Sequence, residues 1–395
     1  MGTGEDEGRD AGRIANRKDE HLRLALEDQV EVPLAGTRPA GTRAERASGA
    51  ASSDALGREG AWQAIRLVPR ALPEIALSEV DTSVSFLGKR LAMPLIIGSM
   101  TGGTELAGEL NRRLARAAAR VGVGMGLGSQ RVMRVRPEAR ATFAVRDAAP
   151  GLPLLIANFG AVQLNTPLDA GGVDADALGE IARAVDADAL VLHLNAAQEA
   201  VQPEGDTDFR GLAKKIGAVA RVLGDRGLPV GIKEVGQGLT TLDLGRLEDA
   251  PLAFIESAGA GGTSWTLIEG KRAEDEAGRG LGALFADWGV PAVTSLLACV
   301  EAGRGVPVIA SGGMRTGLDM ARALAAGASM TAMALPLLKA AAVSEDRCVE
   351  VLRELQRALA TAMFLVGAGS IDALRRTPHV IDAAYRPAAW EGRAG

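Results

Sequence analysis

The segment VPVIASGGMRTGLDMARALAAG, residues 306–327, contains the three parts of one strand–helix unit. A short apolar run, Val306–Ala310, comes before a glycine-rich turn, and an alanine-rich stretch follows that turn. Short apolar runs that alternate with longer helical patterns are typical of a parallel sheet whose strands are joined by helices. The segment therefore predicts one βα unit of an α/β protein.

The same alternation occurs eight times from Leu91 onward. The predicted strands are Leu91–Ser99, Val121–Leu127, Leu152–Asn158, Ala189–Leu194, Pro229–Lys233, Phe254–Ser257, Val306–Ala310 and Met330–Ala334. Eight strand–helix units over roughly 250 residues favour one closed (β/α)8 barrel, a TIM barrel, over residues 91–370. An open doubly wound sheet is the alternative. In a barrel, the loops at the carboxyl ends of all eight strands would meet at one mouth.

Three segments outside the predicted barrel have a different composition. Residues 1–16 are rich in Gly, Asp, Glu and Arg, which predicts a disordered tail. Residues 17–90 form an N-terminal extension, with a short helix predicted at Arg17–Asp28 and a flexible insertion at 36–60, where large apolar side chains are scarce. Residues 371–395 are interpreted as a C-terminal tail.

Composition excludes several classes of protein. The net charge of −5 argues against a nucleic-acid partner, because binding to phosphate backbones needs a dominant basic face. The two cysteines, Cys299 and Cys348, have no spacing that suggests a disulfide framework or a thiolate metal site. The sequence contains neither a secretory signal nor a long uninterrupted apolar run. We therefore expect a cytoplasmic protein without a membrane partner.

The glycine-rich turn Ser311–Gly317 is a candidate phosphate site. It follows the seventh predicted strand and precedes a helix, where backbone N–H groups and the positive end of the helix favour an anion. Loops after the seventh and eighth strands are the usual phosphate site in such barrels, so an FMN phosphate is the first interpretation. A turn that merely starts a helix is the alternative.

Two further strand ends carry groups that suit a flavin. Gly98–Gly103 offers backbone N–H groups and a hydroxyl for the edge of the ring, although Thr101 or Thr104 could simply cap the next helix. Lys233 ends the fifth predicted strand, where a buried ammonium requires an anionic partner or a cofactor. A structural pair between Lys233 and a glutamate is the alternative.

Polar side chains are concentrated after the fourth predicted strand. Strand alternation places His193 and Asn195 on the same face, which we expect to point into the barrel. Gln198 has an amide that could hold or relay a proton, and Glu199 has a carboxylate that could hold Mg²⁺ beside a diphosphate. For His193, a hydrogen-bonded core histidine is the alternative.

One helix face near the N-terminus carries two cations and an imidazole. Arg17, Lys18 and His21 are spaced so that they share a face, which could grip a diphosphate. The alternative is a solvated charged helix, because Asp19 and Glu20 lie between them.

Together these motifs resemble those of one enzyme family. The matching segments are RKDEH (17–21), MTGG (100–103), GSQR (128–131), HLNAAQE (193–199), KEVG (233–236), GGTSW (261–265) and SGGMRTG (311–317). In combination they are similar to the type 2 isopentenyl-diphosphate isomerases, and the resemblance extends from Arg17 to about Gly367. It implies a (β/α)8 barrel that holds FMN, is activated by reduction with NADPH, and uses Mg²⁺.

The resemblance also implies roles for individual residues. FMN would be held by Gly98, Ser99, Met100, Thr101, Ser129, Asn158, Lys233, Thr263, Ser264, Gly313, Met314, Arg315, Ala334 and Leu335. Leu335 stands where relatives often have an arginine near the flavin phosphate, which is a departure from the family pattern. The family likeness further implies a homo-tetramer or homo-octamer.

For the substrate and the metal, the resemblance implies a second set of residues. The prenyl diphosphate would be bound by Arg17, Lys18, His21, Arg131, Asn195 and Gln198. Gln198, His193 and Lys233 would be the catalytic residues, and Glu199 would carry Mg²⁺ bridged to the diphosphate. The implied reaction is a 1,3-allylic proton shift that converts isopentenyl diphosphate to dimethylallyl diphosphate.

Two other functions are compatible with the same barrel, because a fold does not fix a function. An FMN oxidoreductase similar to the 2-hydroxy-acid oxidases would need a base and an arginine pair that grips a carboxylate, and its usual histidine signature is not evident after the seventh strand. A non-catalytic flavin- or phosphate-binding barrel would be favoured if Gln198 or Glu199 proved dispensable.

Overall fold

The structure is a computed structural model that describes residues 17–26, 30–32, 61–168 and 172–389. The predicted tail at 1–16 and the predicted insertion at 36–60 lie outside these ranges, so both remain predictions. Residues 17–26 are helical, which agrees with most of the short helix expected at Arg17–Asp28. We call this segment α1.

Eight parallel strands form a closed barrel, so the predicted TIM barrel is confirmed. In chain order the barrel strands are β4 (Leu95–Ile97), β5 (Gly124–Gly126), β6 (Leu155–Gly160), β7 (Ala189–Leu194), β8 (Val230–Glu234), β9 (Phe254–Glu256), β10 (Val308–Ala310) and β11 (Met330–Met333). Each strand pairs with the next along the chain, and β11 pairs with β4 to close the ring. All eight carboxyl ends therefore face the same way.

Helices surround the barrel and cover the outer face of the strands. They are α2 (Glu105–Val121), α3 (Val132–Val135), α4 (Ala175–Ala184), α5 (Ala196–Val201), α6 (Leu212–Asp225), α7 (Thr241–Gly245), α8 (Trp265–Arg272), α9 (Glu276–Leu284), α10 (Ala292–Ala302), α11 (Gly317–Ala325), α12 (Leu335–Val343), α13 (Glu345–Leu365) and α14 (Ile371–Arg375). Their ends follow local chemistry. In α2, the Thr104 hydroxyl accepts a hydrogen bond from the backbone N–H of Ala107, and Gly122 ends the helix with a φ of 80°.

A hairpin closes the amino-terminal end of the barrel. Its strands are β2 (Val84–Phe86) and β3 (Lys89–Leu91), joined by two residues with positive φ. Two consecutive positive φ values are the geometry of a tight hairpin turn. Phe86 and Leu91 pack into a buried cluster with residues from the starts of the barrel strands, and the rings of Phe86 and Phe254 meet edge to face at 6.0 Å. The hairpin thus plugs the end of the barrel that lies away from the mouth.

The observed barrel strands are mostly shorter than the predicted ones. Helix α2 continues to Val121, so the second barrel strand begins three residues later than expected, at Gly124. The first predicted strand combines Leu91 of the hairpin with the barrel strand β4. Apolar residues that flank a strand in a buried loop have the same composition as the strand itself, which explains these differences.

The C-terminal region differs from the expectation of a tail. Residues 371–389 contain α14, the strand β12 (His379–Ile381) and two short 3-10 turns. Strand β12 pairs antiparallel with β1 (Ile65–Leu67), which lies before the barrel, and Ile371 and Leu374 are buried in the main core. The interpretation of these residues as a tail was wrong, because isolated apolar residues in a polar segment fill gaps in the helical layer.

We predict that Leu374→Ala lowers the free energy of unfolding by about 2–5 kcal/mol, because the side chain is fully buried and its loss leaves a cavity. The matched control is Val380→Ala in β12, whose side chain is 60% exposed and whose loss should change stability by about 0.5 kcal/mol or less. Chemical denaturation followed by circular dichroism measures both values. Equal stability of the two variants would contradict a structural role for this region.

Candidate active site

One large cavity opens at the carboxyl ends of the barrel strands. Its volume is about 1320 Å³ measured out to solvent, and residues that end or follow each of the eight strands line it. Clefts of this kind are the usual binding sites for small molecules and cofactors. The position agrees with the mouth expected from the sequence.

Most of the predicted site residues line this cavity. They are Arg17, Lys18, His21, Gly98, Ser99, Met100, Ser129, Arg131, Asn158, His193, Asn195, Gln198, Glu199, Lys233, Thr263, Gly313, Met314, Arg315, Ala334 and Leu335. The structure therefore brings together segments that are far apart in the sequence.

Two predicted cofactor residues, Thr101 and Ser264, lie outside the lining of this cavity. The Ser264 hydroxyl accepts the backbone N–H of Leu267 and caps α8. Thr101 is buried beside a smaller neighbouring pocket, and its carbonyl oxygen accepts hydrogen bonds from the backbone of Gly128 and the side chain of Asn111. Thr101 directly follows the lining residue Met100, and Ser264 directly follows the lining residue Thr263. The sequence alone therefore does not separate residues that line the cavity from their neighbours.

The loop after β10 is built for close approach to an anion. Gly312 and Gly313 have φ values of 100° and 65°, and a Cβ atom on Gly313 would lie 2.2 Å from the carbonyl oxygen of Gly261. Only glycine fits there. Within the described part of the chain, the backbone N–H groups of Gly313 and Met314 make no hydrogen bond. These donors at the N-terminal side of α11 fit the phosphate of FMN.

The loop is also held from outside the barrel. The indole Nε1 of Trp62 donates to the carbonyl oxygen of Gly312 at 2.8 Å. The Arg315 guanidinium pairs with Glu31 and donates to the carbonyl oxygen of Met314 at 2.6 Å. Burial lowers the pKa of Arg315 to about 10, so it stays charged near neutral pH.

Lys233 points into the barrel and has anionic neighbours. Its Nζ donates to the carbonyl oxygen of Glu234 at 2.6 Å and lies 3.7 Å from Oε1 of Glu256. The Ser311 hydroxyl donates to the same Glu256 oxygen at 2.9 Å. The pairing with a glutamate considered from the sequence is therefore present, and Lys233 also lines the cavity. Glu256 was missed, although it ends a neighbouring strand at the height of Lys233.

Glu234 orders the loop after β8. One carboxylate oxygen, Oε2, accepts backbone N–H groups from Val235 at 2.6 Å, Gly236 at 2.7 Å, Gln237 at 2.5 Å and Gly238 at 3.0 Å. Val235 and Gly236 line the cavity, so this carboxylate shapes one of its walls. Despite the four donors, burial raises the pKa of Glu234 to about 7. This role of Glu234 was not predicted from the sequence.

His193 is fixed in one orientation by Asn158. The Asn158 amide nitrogen donates to the carbonyl oxygen of Leu127 at 3.0 Å, which leaves its oxygen as the acceptor for Nδ1 of His193 at 2.8 Å. Nδ1 therefore carries the proton and Nε2 is an acceptor. Burial, together with the charges of Lys233, Lys18 and Arg131, lowers the pKa of His193 to about 3, so the imidazole is neutral.

The Gln198 amide is held on both sides. Its oxygen accepts a hydrogen bond from the Asn195 amide at 3.2 Å, and its nitrogen donates to Glu269 Oε1 at 2.7 Å. The Asn195 amide also donates to Glu199 Oε1 at 2.7 Å, whereas the Asn195 oxygen is buried without a hydrogen-bond partner. Burial raises the pKa of Glu199.

Glu269 joins the helix α1 to the Gln198 network, and the sequence analysis missed it. Its carboxylate is fully buried, with Oε1 2.9 Å from Nε2 of His21, and Arg272 pairs with its other oxygen. Burial opposes ionisation, but His21 and Arg272 outweigh it and lower the pKa of Glu269 to about 2. Glu269 is therefore an anion beside a polar amide.

Helix α1 covers one side of the cavity and is not a solvated charged helix. The ammonium of Lys18 donates to the carbonyl oxygen of Ser129 at 2.6 Å. Burial, together with the charge of Arg17, lowers the pKa of Lys18 to about 7. A charged Lys18 is costly at this buried position, so an anionic ligand beside it would be favoured.

Neither a preformed metal cluster nor a membrane-spanning helix is present in the described ranges. No group of three or more His, Cys, Asp or Glu side chains there could hold a metal ion. None of the helices among these residues is long and apolar enough to cross a bilayer.

Glu234→Gln should change how stability depends on pH. The glutamate has a pKa of about 7 when folded and an ordinary value of 4.5 when unfolded, so the stabilisation present below pH 4.5 is lost as the pH rises through 7. The glutamine variant keeps an oxygen for the loop and has no such loss. We expect the stability of the original chain relative to the variant to fall between about pH 5 and pH 7, measured by urea unfolding. Parallel pH profiles would refute this.

Comparisons with known proteins agree with this architecture. Residues 39–146 and 282–382 match the model of the FMN-dependent dehydrogenase family. The structure resembles that of a mandelate oxidase with (S)-2-phenylpropionate, with a TM-score of 0.60 and 21% identity over 94% of this chain and 98% of that one. At this identity the likeness concerns the fold alone.

Sequence relatives are more specific. An isopentenyl-diphosphate delta-isomerase of Synechococcus sp. is 44% identical over 366 residues, which cover 92% of this chain and 95% of the relative. A second one, from Paracoccus zeaxanthinifaciens, is 43% identical over 373 residues, or 93% of this chain and 97% of the relative. On this similarity along nearly the whole sequence, the chain belongs to the isopentenyl-diphosphate delta-isomerase family.

Proposed function

We propose that this enzyme converts isopentenyl diphosphate to dimethylallyl diphosphate, using reduced FMN, with NADPH as the reductant and Mg²⁺ to hold the diphosphate. The observation that carries the proposal is the Gln198 amide, which lines the same cavity as a cationic helix and a glycine-rich anion loop. We also propose that the protein works in the cytoplasm as a homo-oligomer.

The residues around the loop after β10 fit FMN. The N–H groups of Gly313 and Met314 and the guanidinium of Arg315 would hold its phosphate, and Lys233 would lie beside the ring with Glu256 as its counter-ion. A Cβ atom on Gly98 would lie 3.0 Å from the Cβ of Ala334, so these two lining residues pack closely against each other. When bound and reduced, FMN supplies an electron-rich surface next to the reacting alkene.

The proposed reaction adds a proton to the terminal alkene carbon and removes one two carbons away. Gln198 is suited to hold or relay that proton, because Asn195 and Glu269 fix both ends of its amide. Glu269 stays ionised and orients the amide nitrogen, whereas the neutral His193 offers Nε2 as an acceptor. General acid–base groups of this kind contribute about 10²–10⁴-fold to rates.

Cations at the rim are suited to the diphosphate. Arg17, Lys18 and Arg131 all line the cavity, and an anion would restore the charge that burial disfavours on Lys18. Binding of the diphosphate would orient the alkene toward Gln198 and exclude water from the reacting carbons. The carbon skeleton itself offers no polar group for orientation.

Glu199 fits a role as a Mg²⁺ ligand. Its carboxylate lines the cavity, and the oxygen of Asn195 beside it is buried without a partner, as expected where a cation or a donor is missing. Mg²⁺ commonly uses one or two carboxylates together with ligand phosphates and water.

An FMN oxidoreductase is the other candidate, because the family model of FMN-dependent dehydrogenases matches over half of the chain. Anaerobic incubation with FMN, excess NADPH, Mg²⁺ and isopentenyl diphosphate, followed by NMR, distinguishes the two functions. Dimethylallyl diphosphate should form only in the sample with reduced flavin. Absence of product despite bound reduced flavin would favour the oxidoreductase.

Gln198→Ala should lower kcat about 10²–10⁴-fold with little effect on substrate affinity, because the amide is proposed to act on the proton rather than to bind the diphosphate. The control is Gln63→Ala, an exposed glutamine outside the cavity. Steady-state kinetics of both variants with reduced flavin measures the difference. Normal turnover by Gln198→Ala would exclude the proposed role.

Glu199→Gln should raise the Mg²⁺ concentration needed for half-maximal activity by about tenfold or more, because a neutral amide is a poor ligand for Mg²⁺. The flavin absorbance spectrum should not change, since Glu199 is proposed to face the metal and not FMN. A titration of activity against Mg²⁺, with the exposed Asp208→Asn as control, measures the effect. An unaltered Mg²⁺ requirement would remove Glu199 from the metal site.

A further inference from the structure

The two arginines at the cavity rim are already paired with acids from a single loop. NH1 of Arg17 lies 3.7 Å from Oε1 of Glu204, and NH1 of Arg131 lies 2.7 Å from Oδ2 of Asp206. Both acids belong to the loop that follows α5, and neither was a candidate site residue in the sequence analysis. The cations proposed to bind a diphosphate are therefore not free in this structure.

Gly205, which separates the two acids, fixes this loop against α5. A Cβ atom at Gly205 would lie 1.9 Å from the carbonyl oxygen of Glu199, and its backbone N–H donates to the carbonyl oxygen of Gln202 at 3.0 Å. The next N–H, of Asp206, donates to Glu199 Oε2 at 2.8 Å. Because the backbone packs so closely, the two flanking side chains are directed to the rim.

The pairs remain accessible to a ligand from solution. The side chains of Arg17 and Arg131 are 13% and 24% exposed, and those of Glu204 and Asp206 are 36% and 30% exposed. Each acid also has a second partner that could keep it in place after an exchange. Glu204 contacts Arg272 at 3.3 Å, and Asp206 accepts a hydrogen bond from Gln163 at 3.1 Å.

A planar carboxylate and a tetrahedral phosphate can each present two anionic oxygens to the guanidinium of an arginine. The loop acids therefore compete with a diphosphate for Arg17 and Arg131. A metal-free anion that displaces them leaves carboxylates beside a bound negative charge. The repulsion between these like charges weakens binding of the anion. A divalent cation that binds together with the anion removes this repulsion, because the released carboxylates can then contact the cation.

The location of that cation is consistent with other groups at the site. Asp206 adjoins Glu199, the proposed Mg²⁺ ligand, because its backbone N–H donates to Glu199 Oε2. The unpartnered oxygen of Asn195, a residue only 2% exposed, belongs to the same group of side chains. An anionic pair with an unpartnered oxygen beside it is suited to bind a cation.

We propose that Glu204 and Asp206 act as an internal counter-anion that occupies the diphosphate subsite in the ligand-free protein, and that they make the site selective for a diphosphate accompanied by a divalent cation. On ligand binding, Arg17 and Arg131 exchange these acids for the diphosphate, and Asp206 turns to the cation beside Glu199. This inference rests on the proposed function, because it assumes that the rim arginines bind a diphosphate.

The test is calorimetric titration of the FMN-loaded protein with inorganic diphosphate, once with a chelator and once with MgCl2. Without metal, Asp206→Asn should bind inorganic diphosphate about three- to fivefold more tightly than the original chain, because the competing charge is gone. With MgCl2 this advantage should disappear or reverse. Glu204→Gln should show the same metal-free gain, and serves as a second variant if the first does not fold.

Asp208→Asn is the matched control. Asp208 belongs to the same loop but pairs with Arg210, whose side chain is 91% exposed, and it does not line the cavity. The affinity of the Asp208→Asn variant for inorganic diphosphate should equal that of the original chain, both with the chelator and with MgCl2. Circular dichroism and the flavin spectrum verify that each variant is folded and loaded.

The outcomes separate this inference from the proposed function. If the original chain binds inorganic diphosphate but the loop variants bind it no more tightly without metal, the counter-anion role is wrong and the proposed function stands. If the original chain binds no inorganic diphosphate in either condition, the diphosphate subsite itself is wrong, and the inference is overturned with it.

Discussion

A charged side chain can be buried at the mouth of the barrel only if an opposite charge or several hydrogen bonds accompany it. This constraint determines how the site is built. Lys233 has Glu256, Glu269 has His21 and Arg272, and Glu234 has four backbone N–H groups. The Lys233–Glu256 pair joins β8 to β9, and the His21–Glu269 contact joins α1 to α8, so these two pairs also fix the relative positions of elements around the cavity.

Helix α1 shows how far this constraint extends. It precedes the barrel in sequence, yet it is bound to the mouth through polar contacts. Arg272 pairs with Glu20 of α1 and with Glu269, and Lys18 of α1 donates to the carbonyl oxygen of Ser129. The groups that hold the helix in place overlap with those proposed to bind the substrate. Binding of α1 to the mouth of the barrel therefore also completes the proposed substrate site.

Much of the architecture could be predicted from periodicity, because eight apolar runs with polar ends specify a barrel and its mouth. Gln198 and Glu199 were predicted to lie at the mouth because they come shortly after a strand, and both line the cavity. Glu269 was missed since it lies in the middle of α8, where a carboxylate on the buried face has no local signal. The acids around Gly205 were missed for a related reason: a charged loop usually faces water, and only the fold brings this one to the rim. Leu374 was missed because single apolar residues in a polar segment do not form a recognisable period.

The sheet formed by β1 and β12 has a consequence for biosynthesis. Strand β1 precedes the barrel and β12 follows it, so the first of the pair leaves the ribosome long before its partner exists. Until then Ile65, which is fully buried in the finished structure, belongs to an unpaired edge that could associate with other chains. Helix α14 and strand β12 are therefore synthesised after the barrel strands, and β1 becomes paired only when β12 is available.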